Sequence, residues 1–467
     1  LIFIFDKMFL KSAFLTLLAG SVFSFGDCDR QSSHLRSSNA PGASRHLETA
    51  HGAWIPLGEE LFGLPPLDSS TLVGFGDTIA VSQSDDGSRF MAVGAPHSDY
   101  NHGSNTSLAF HNSQGGLVRL FKMAIGQSTW KLIWAFAGDI DEKIGLGLDL
   151  INLSPTLNRI AIRRSDKIVI RDVDIEGQYA TPGVDPLMTP GKLVKMNADG
   201  TVMAVSSETL NGQKGRVEVF HSLEVGGLLE WNLNVTFDGE ESWDRLGYSL
   251  AIDSTGTRIA FGIPYKNEDT GAVRVFEYDG YEWTQVGADI SGKSLGALFG
   301  WSLDMSADGK TIIAGATGSY ADGGSATGAR GSILIYKEVN NEWQQVGSDL
   351  EGEFAKENFG RAVTMDRTGT RVAASSFKYN NHKGRVKVFN YNNETIGSWD
   401  MITELRGEAF HERMGRGLSS LAMSNDGTVL AVGSPLEEVG TNRTGKVQVL
   451  EEQDITSTPS AIPSAVP

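Results

Sequence analysis

The segment 299–316 reads FGWSLDMSADGKTIIAGA, and the segment 331–352 reads GSILIYKEVNNEWQQVGSDLEG. The preceding segments repeat this pattern as LGYSLAIDSTGTRIAFGIP (246–264) and GAVRVFEYDGYEWTQVGADISG (271–292). A repeat of this length indicates an array of units, each of which buries its apolar residues against neighbouring units. The repeat therefore decides the architecture before any chemistry is considered.

Within one unit, apolar residues alternate along the chain with a period of two, as at Trp301, Leu303 and Met305. This period predicts half-buried strands rather than helices. The turn SADG (306–309) joins two antiparallel strands and requires a positive φ at its glycine. A third strand opens on Gly331, and a fourth begins near Trp343. Four strands connected in this order form one blade of a β-propeller.

The unit can be counted along the chain. The turn between the first two strands recurs at Asp86-Gly87, Asp199-Gly200, Thr255-Gly256, Asp308-Gly309, Thr368-Gly369 and Asp426-Gly427. The gap between the first two of these turns is about twice the usual spacing. It is filled by SPTLNRIAI (154–162) and KIVIRDVD (167–174), which fit the second and third strands of a divergent copy. The sequence therefore predicts seven blades.

The last copy ends after its third strand, VQVLEEQ (447–453), and lacks a fourth. A matching fourth strand, WIPLGEELFG (54–63), stands before the first copy and resembles WTQVGADISG (283–292). The predicted fold class is therefore all-β, a seven-bladed β-propeller closed by an N-terminal strand that completes the last blade.

Four segments are predicted: a signal peptide (1–26), a flexible linker (27–53), the propeller (54–453) and a Ser/Thr/Pro-rich tail (454–467). Lys7 and Lys11 precede a short apolar run that ends in small residues, as in a secretory signal. Cys28 is the only cysteine, so no intramolecular disulfide can form. We expect a secreted or cell-surface protein. Candidate glycosylation sites are Asn105, Asn234, Asn393 and Asn442.

The formal net charge is −17, which disfavours binding to nucleic acid or to anionic membranes. No segment within 54–453 is long and apolar enough to predict membrane insertion of the propeller. The nine histidines are scattered, and neither an HExxH nor a GxSxG motif occurs. These observations favour a protein that is not an enzyme. An enzyme with a site built across blades at the central channel remains an alternative.

The repeats resemble the FG-GAP repeats of integrin α chains. The resemblance is carried at the first strand by Phe75-Gly76, Leu246-Gly247, Phe299-Gly300, Phe359-Gly360 and Met414-Gly415. At the second strand it is carried by Gly94-Ala95-Pro96, Gly262-Ile263-Pro264, Gly315-Ala316 and Gly433-Ser434-Pro435. The resemblance implies extracellular adhesion and calcium bound in a DxDxDG-type loop. The nearest match here offers Asp304 and Asp308, with Ile312 in place of the final carboxylate, so the residues themselves predict neither a metal nor another cofactor.

We expect a non-catalytic, monomeric binding propeller that recognises an extracellular protein or glycan through loops on one face. The loops after the second strands are the longest and most varied. Their candidate ligand-binding residues are Asp99, Tyr100, His102, Tyr320, Asp322, Tyr379, His382, Glu437 and Arg443. An intracellular WD-type scaffold is a further alternative, which requires the N-terminal segment to remain uncleaved in the cytosol.

Overall fold

The computed structural model describes residues 53–63, 74–97, 115–138, 142–164, 167–176, 179–181, 191–225, 228–318, 329–392, 397–436, 438–439 and 442–453. All of these residues belong to one compact unit, Ala50–Pro467. The predicted signal peptide, most of the linker and the C-terminal tail lie outside the described residues. Within the described ranges, no helix has the length and hydropathy needed to cross a membrane.

Seven antiparallel sheets form the seven blades, which confirms the predicted propeller. From the channel outward, the strands of the first three blades are Thr78–Gln83, Arg89–Ala95, Leu117–Met123 and Lys131–Ala137 in blade 1; Leu148–Ser154, Leu157–Arg163, Ile168–Asp174 and Tyr179–Thr181 in blade 2; and Leu193–Met196, Val202–Ser206, Arg216–Val225 and Leu228–Asp238 in blade 3. In the next two blades the outer strand has two pieces: Leu250–Ile252, Arg258–Ile263, Ala272–Tyr278, Trp283–Gln285 and Ile290–Ser291 in blade 4; and Phe299–Met305, Thr311–Ala316, Ser332–Val339, Glu342–Gln345 and Leu350–Glu351 in blade 5. The last two blades consist of Val363–Met365, Arg371–Ser375, Arg385–Asn392 and Ser398–Arg406 in blade 6; and Leu421–Met423, Val429–Ser434, Lys446–Glu452, Trp54–Pro56 and Leu61–Phe62 in blade 7.

The N-terminal segment completes blade 7, as predicted. Trp54 pairs with Glu452 and Leu61 pairs with Val447, both antiparallel to the last strand of the chain. The seam between blades 7 and 1 has a packed core that includes Leu57, Phe75 and Val447. Across the seam, the Trp130 indole N–H donates to the Leu57 carbonyl oxygen at 3.2 Å. The ring is therefore closed by main-chain pairing and by buried apolar side chains.

The glycines of the repeat mark the places where neighbouring blades approach most closely. A Cβ atom at Gly262 of blade 4 would lie 2.0 Å from the Gly300 carbonyl oxygen of blade 5. The same contact recurs at the closing seam, where a Cβ atom at Gly433 would lie 2.0 Å from the Gly76 carbonyl oxygen. Real Cβ atoms do not tolerate such distances, so both motif positions require glycine because of the blade interface.

The strand order also fixes where the connections lie. Each inner strand starts at one end of the ring, and the connection from second to third strand returns to that same end because successive strands are antiparallel. We call this end the mouth. Among the connections that the structure describes, three contain a four-residue turn whose two central residues have positive φ: Leu210–Gln213, Lys266–Asp269 and Tyr379–His382. In blade 7, a small hairpin of Glu438–Val439 and Asn442–Arg443 occupies the same connection.

Candidate functional site at the channel mouth

Two layers of residues follow the repeat around the ring, one near the start of the inner strands and one within them. The first, which we call the mouth ring, consists of the residue directly after the first-strand glycine in each blade: Asp77, Leu146, Lys192, Tyr248, Trp301, Arg361 and Arg416. The second, the mid-channel layer, occupies the next equivalent inner-strand position: Ala80, Asp149, Lys195, Ala251, Asp304, Thr364 and Ala422. All seven residues of the mid-channel layer line a cavity of about 280 Å³.

The mouth ring is continuous from blade 3 to blade 7. Lys192 Nζ lies 3.9 Å from the centroid of the Tyr248 ring, and Tyr248 packs against Trp301 with centroids 4.7 Å apart. On the other side of Trp301, the Arg361 guanidinium carbon lies 4.8 Å from the indole centroid. Arg361 Nε then donates to the Arg416 carbonyl oxygen at 2.9 Å. Two adjacent aromatic rings therefore lie between cations along this arc.

Residues from the connections extend the mouth ring outward. Glu208 lies 3.2 Å from Lys192 Nζ. The Arg245 guanidinium carbon lies 4.9 Å from the centroid of Tyr265, which also packs against Tyr248 at 6.0 Å. Phe377 and Lys378 follow the second strand of blade 6, and the Arg361 guanidinium lies 5.4 Å from the Phe377 ring. Inner strands and connections thus supply one shared surface.

The electrostatics of this surface are dominated by positive charge. Burial lowers the pKa of Lys192, and the Glu208 carboxylate opposes that shift while Arg361 and Arg245 add to it. Burial also lowers the pKa of Arg361, with a further contribution from Arg416. For Asp77, burial raises the carboxyl pKa, and Arg416, His97 and Arg361 oppose the shift. Like charges are therefore held close together in a partly desolvated environment.

The mid-channel layer behaves differently, because its charges are engaged by the protein itself. Asp149 Oδ2 accepts a hydrogen bond from the Met196 N–H at 2.7 Å, and its Oδ1 lies 3.7 Å from Lys195 Nζ. Asp304 Oδ2 accepts from the Met365 N–H at 2.9 Å and from Thr364 Oγ1 at 3.1 Å. These bonds tie adjacent inner strands together.

The pKa shifts in this layer follow from those contacts. Burial raises the pKa of Asp304, and the positive charge of Lys195 opposes the shift. The Asp149 carboxylate raises the pKa of Lys195, with a smaller contribution from Asp304. Lys195 therefore serves as the shared counter-ion of two carboxylates.

The two aspartates considered as metal ligands have other partners. Asp304 bridges two inner strands as described above. Asp308 Oδ1 accepts hydrogen bonds from Ser306 Oγ at 2.6 Å and from the Lys310 N–H at 3.0 Å, so it stabilises the hairpin turn. Among the residues that the structure describes, no group of three or more His, Cys, Asp or Glu side chains is placed to hold a metal ion.

Of the predicted ligand-binding residues, Tyr379 and His382 lie at the mouth end, in the four-residue turn of blade 6. Tyr379 packs against the Arg385 guanidinium, 4.2 Å from its ring centroid, and His382 stacks on His411 with centroids 5.5 Å apart. Burial lowers the pKa of His382, and Arg413 lowers it further. Both residues follow Phe377 and Lys378 in the chain, and those two residues extend the mouth ring. The other candidates fall outside the described residues, or have side chains outside them: Asp99, Tyr100, His102, Tyr320, Asp322, Glu437 and Arg443.

Of the candidate glycosylation sites, only Asn234 has a described side chain. It is exposed on the outer strand of blade 3, and its Oδ1 accepts a hydrogen bond from Trp283 Nε1 at 2.6 Å. That contact does not use the amide nitrogen to which a glycan would be attached. Asn105 and Asn393 lie outside the described residues, as does the side chain of Asn442.

The mouth ring was not predicted from the sequence. Its seven members are chemically unlike one another and are spread over 340 positions, from 77 to 416. Their positions in the repeat could have identified them. Each residue directly follows the first-strand glycine, and blade packing fixes that glycine at the same place in every blade.

The chain matches no family model and no curated protein sequence. Among solved structures, it is similar to Kuenenia stuttgartiensis hydrazine synthase, with 13% identity, a TM-score of 0.49, and coverage of 81% of this chain and 96% of that chain. It is also similar to a Bacteroides uniformis protein provisionally assigned as a 6-phosphogluconolactonase, with 14% identity, a TM-score of 0.46, and coverage of 70% and 85%. Similarities at this level carry no argument about function. The seven-bladed β-propeller is therefore established by the strand pairing itself.

Proposed function

We propose that this chain is a non-catalytic binding protein, secreted or displayed at the cell surface, that recognises an extracellular protein or glycan at the mouth of its propeller. Rigid strands there present charged and aromatic side chains from several blades beside the connections that vary most between repeats. Binding residues are commonly placed in this way, on loops held by a rigid scaffold.

The observation that carries the proposal is the contrast between the two layers of the channel. In the mid-channel layer, Asp149 and Asp304 each accept a backbone N–H bond, and Lys195 Nζ lies 3.7 Å from Asp149. The mouth ring, by contrast, contains three cations and one carboxylate, and Glu208 from a connection pairs with Lys192 at 3.2 Å. The mouth ring is thus the place where an added partner would gain the most interaction energy.

The remaining support comes from sequence. The first and second strands carry the FG and GAP glycines, which resemble the repeats of integrin α chains, proteins that bind ligands outside the cell. The basic and apolar start of the chain, together with four sequons, favours export. Adhesion is the most specific activity that these features support.

A second candidate is an enzyme that uses the mid-channel layer, since Lys195, Asp149 and Asp304 all line a cavity of about 280 Å³. Its carboxylates, however, already accept backbone hydrogen bonds, which favours a structural role. If a catalytic activity is found in the purified protein and a Lys195→Met variant retains it, this candidate is excluded.

The test is a binding screen of the full chain against arrays of extracellular proteins and glycans, with and without calcium. The expected result is a specific ligand whose binding is lost in a Lys192→Gln, Arg361→Gln double variant and retained in Lys131→Gln. Lys131 is exposed on the outer strand of blade 1, so this control removes a positive charge far from the mouth. A ligand bound equally by all three proteins would refute the mouth as the binding site.

A further inference from the structure

We infer that the mouth ring recognises an oxyanion, a carboxylate or sulfate group presented by the ligand. This inference rests on the proposed function and specifies the chemistry of its site. Three observations support it: the balance of charge at the mouth, the way its aromatic rings are occupied, and an indole N–H without a partner.

The charge balance favours an anion. Among the described residues of the mouth ring and of the connections that extend it, five are cations and two are carboxylates. The cations are Lys192, Arg245, Arg361, Lys378 and Arg416. The carboxylates are Asp77 and Glu208. This positive surface occurs in a chain whose net charge is −17. Because the surrounding protein is acidic, the excess of cations is a local arrangement and not a consequence of overall composition.

The aromatic rings explain how those cations are held in position. Lys192 lies over Tyr248, Arg361 lies over Trp301, and Arg245 lies over Tyr265. A ring face that already contacts a cation of the same chain is poorly suited to binding a cationic group of a partner. The rings instead restrict the positions of the cations, which lowers the entropy lost when an anion binds.

Each of three side chains at the mouth can supply a hydrogen-bond donor to an oxyanion. Arg361 Nε donates to the Arg416 carbonyl oxygen, which fixes the plane of a guanidinium group that can bind carboxylate or sulfate with two parallel hydrogen bonds. The Lys192 side chain is 31% exposed, and its ammonium group also pairs with Glu208. The Trp301 Nε1 atom is buried and has no hydrogen-bond partner among the described residues, so its N–H is a donor that no described group satisfies.

Two sources could present this group, an acidic sugar or an acidic side chain. Calorimetric titration of the full chain would therefore use five probes. Glucuronate and glucose 6-sulfate represent the sugar source, with glucose as their neutral control. N-acetyl-aspartate methylamide represents the side-chain source, with N-acetyl-asparagine methylamide as its neutral control. We expect at least one anionic probe to bind in the millimolar range or tighter. The corresponding neutral compound, glucose or N-acetyl-asparagine methylamide, should bind at least about tenfold more weakly.

Variants then test whether the anionic probe binds at the mouth ring. Arg361→Gln should weaken binding of the anionic probe by at least about tenfold, and Lys131→Gln should leave it unchanged. Thermal unfolding of each variant verifies that it is folded, and Arg361→Lys, which keeps the charge but not the planar fork, should weaken binding less than Arg361→Gln.

Equal binding of neutral and anionic probes, no binding of any anionic probe, or unchanged binding in Arg361→Gln would each overturn the inference. If the array screen finds a neutral ligand that needs Lys192 and Arg361, the oxyanion specificity is wrong while the proposed binding function stands. If no array ligand depends on the mouth, the proposed function itself fails.

Discussion

The mouth ring lies near the start of the inner strands and the mid-channel layer lies within them, and the two layers differ in their balance of charge. In the mid-channel layer, Lys195 serves two carboxylates that are also hydrogen-bonded to neighbouring strands. In the mouth ring, cations from blades 3, 6 and 7 lie together and are incompletely balanced. The difference shows which charges hold the ring together and which are available to a ligand.

The largest effect is expected from opening the ring, on which both layers depend. A truncated chain that begins at Leu64 lacks the outer strands of blade 7 and the apolar residues Trp54, Leu57 and Leu61. Each such side chain contributes roughly 1.5–3 kcal/mol of burial energy. We expect the loss of a single cooperative transition in urea unfolding followed by circular dichroism.

The matched control is a chain that begins at His51, which removes almost as much sequence but retains the closing strand. Its unfolding curve should match that of the full chain. If the chain that begins at Leu64 keeps the same melting temperature, closure by the N-terminal strand does not stabilise the ring.

The next effect separates the two layers directly. Lys195→Met removes the shared counter-ion of Asp149 and Asp304 and should lower the free energy of unfolding by about 2 kcal/mol. Arg361→Met at the mouth should cost less, because relief of repulsion from neighbouring cations offsets the packing that is lost. Urea denaturation of both variants measures the difference, and an equal or larger cost for Arg361→Met would contradict the distinction between the layers.

The smallest effect concerns pH, and its sign differs between two carboxyl groups. The pKa of Asp304 is raised in the folded state, mainly by burial, so as pH falls through that value the folded protein binds a proton before the unfolded chain does. The stability of the wild type relative to Asp304→Asn should therefore increase between pH 7 and pH 4.

Glu353 shows the opposite behaviour, because hydrogen bonds from Lys387 and Arg385 lower its pKa to about 2. Its stabilising contribution is present above its ordinary pKa and is lost as pH falls toward 2. The advantage of the wild type over Glu353→Gln should thus shrink below pH 5 and stay under about 1 kcal/mol, since half of this side chain is exposed. Chemical denaturation at a series of pH values tests both predictions. If the difference in stability between the wild type and either variant does not change with pH, the pKa shift assigned to that carboxyl group is wrong.

Most of the fold could be predicted from the sequence, because each blade is specified locally. The alternation of apolar residues around Trp301 and the turn at Gly309 both lie within one unit, and even the closing strand could be recognised by its likeness to the outer strands of other blades. The site could not be predicted in this way. Lys192, Tyr248 and Arg361 have no shared pattern, and only closure of the ring brings their side chains together.

The most direct test of the account is a crystal structure of the full chain soaked in selenate, whose anomalous scattering distinguishes a bound oxyanion from water. The account predicts an anomalous peak at the mouth, within hydrogen-bonding distance of Lys192 Nζ and the Arg361 guanidinium, and none beside Lys195. A peak in the mid-channel layer with none at the mouth, or no peak in either layer, would contradict it.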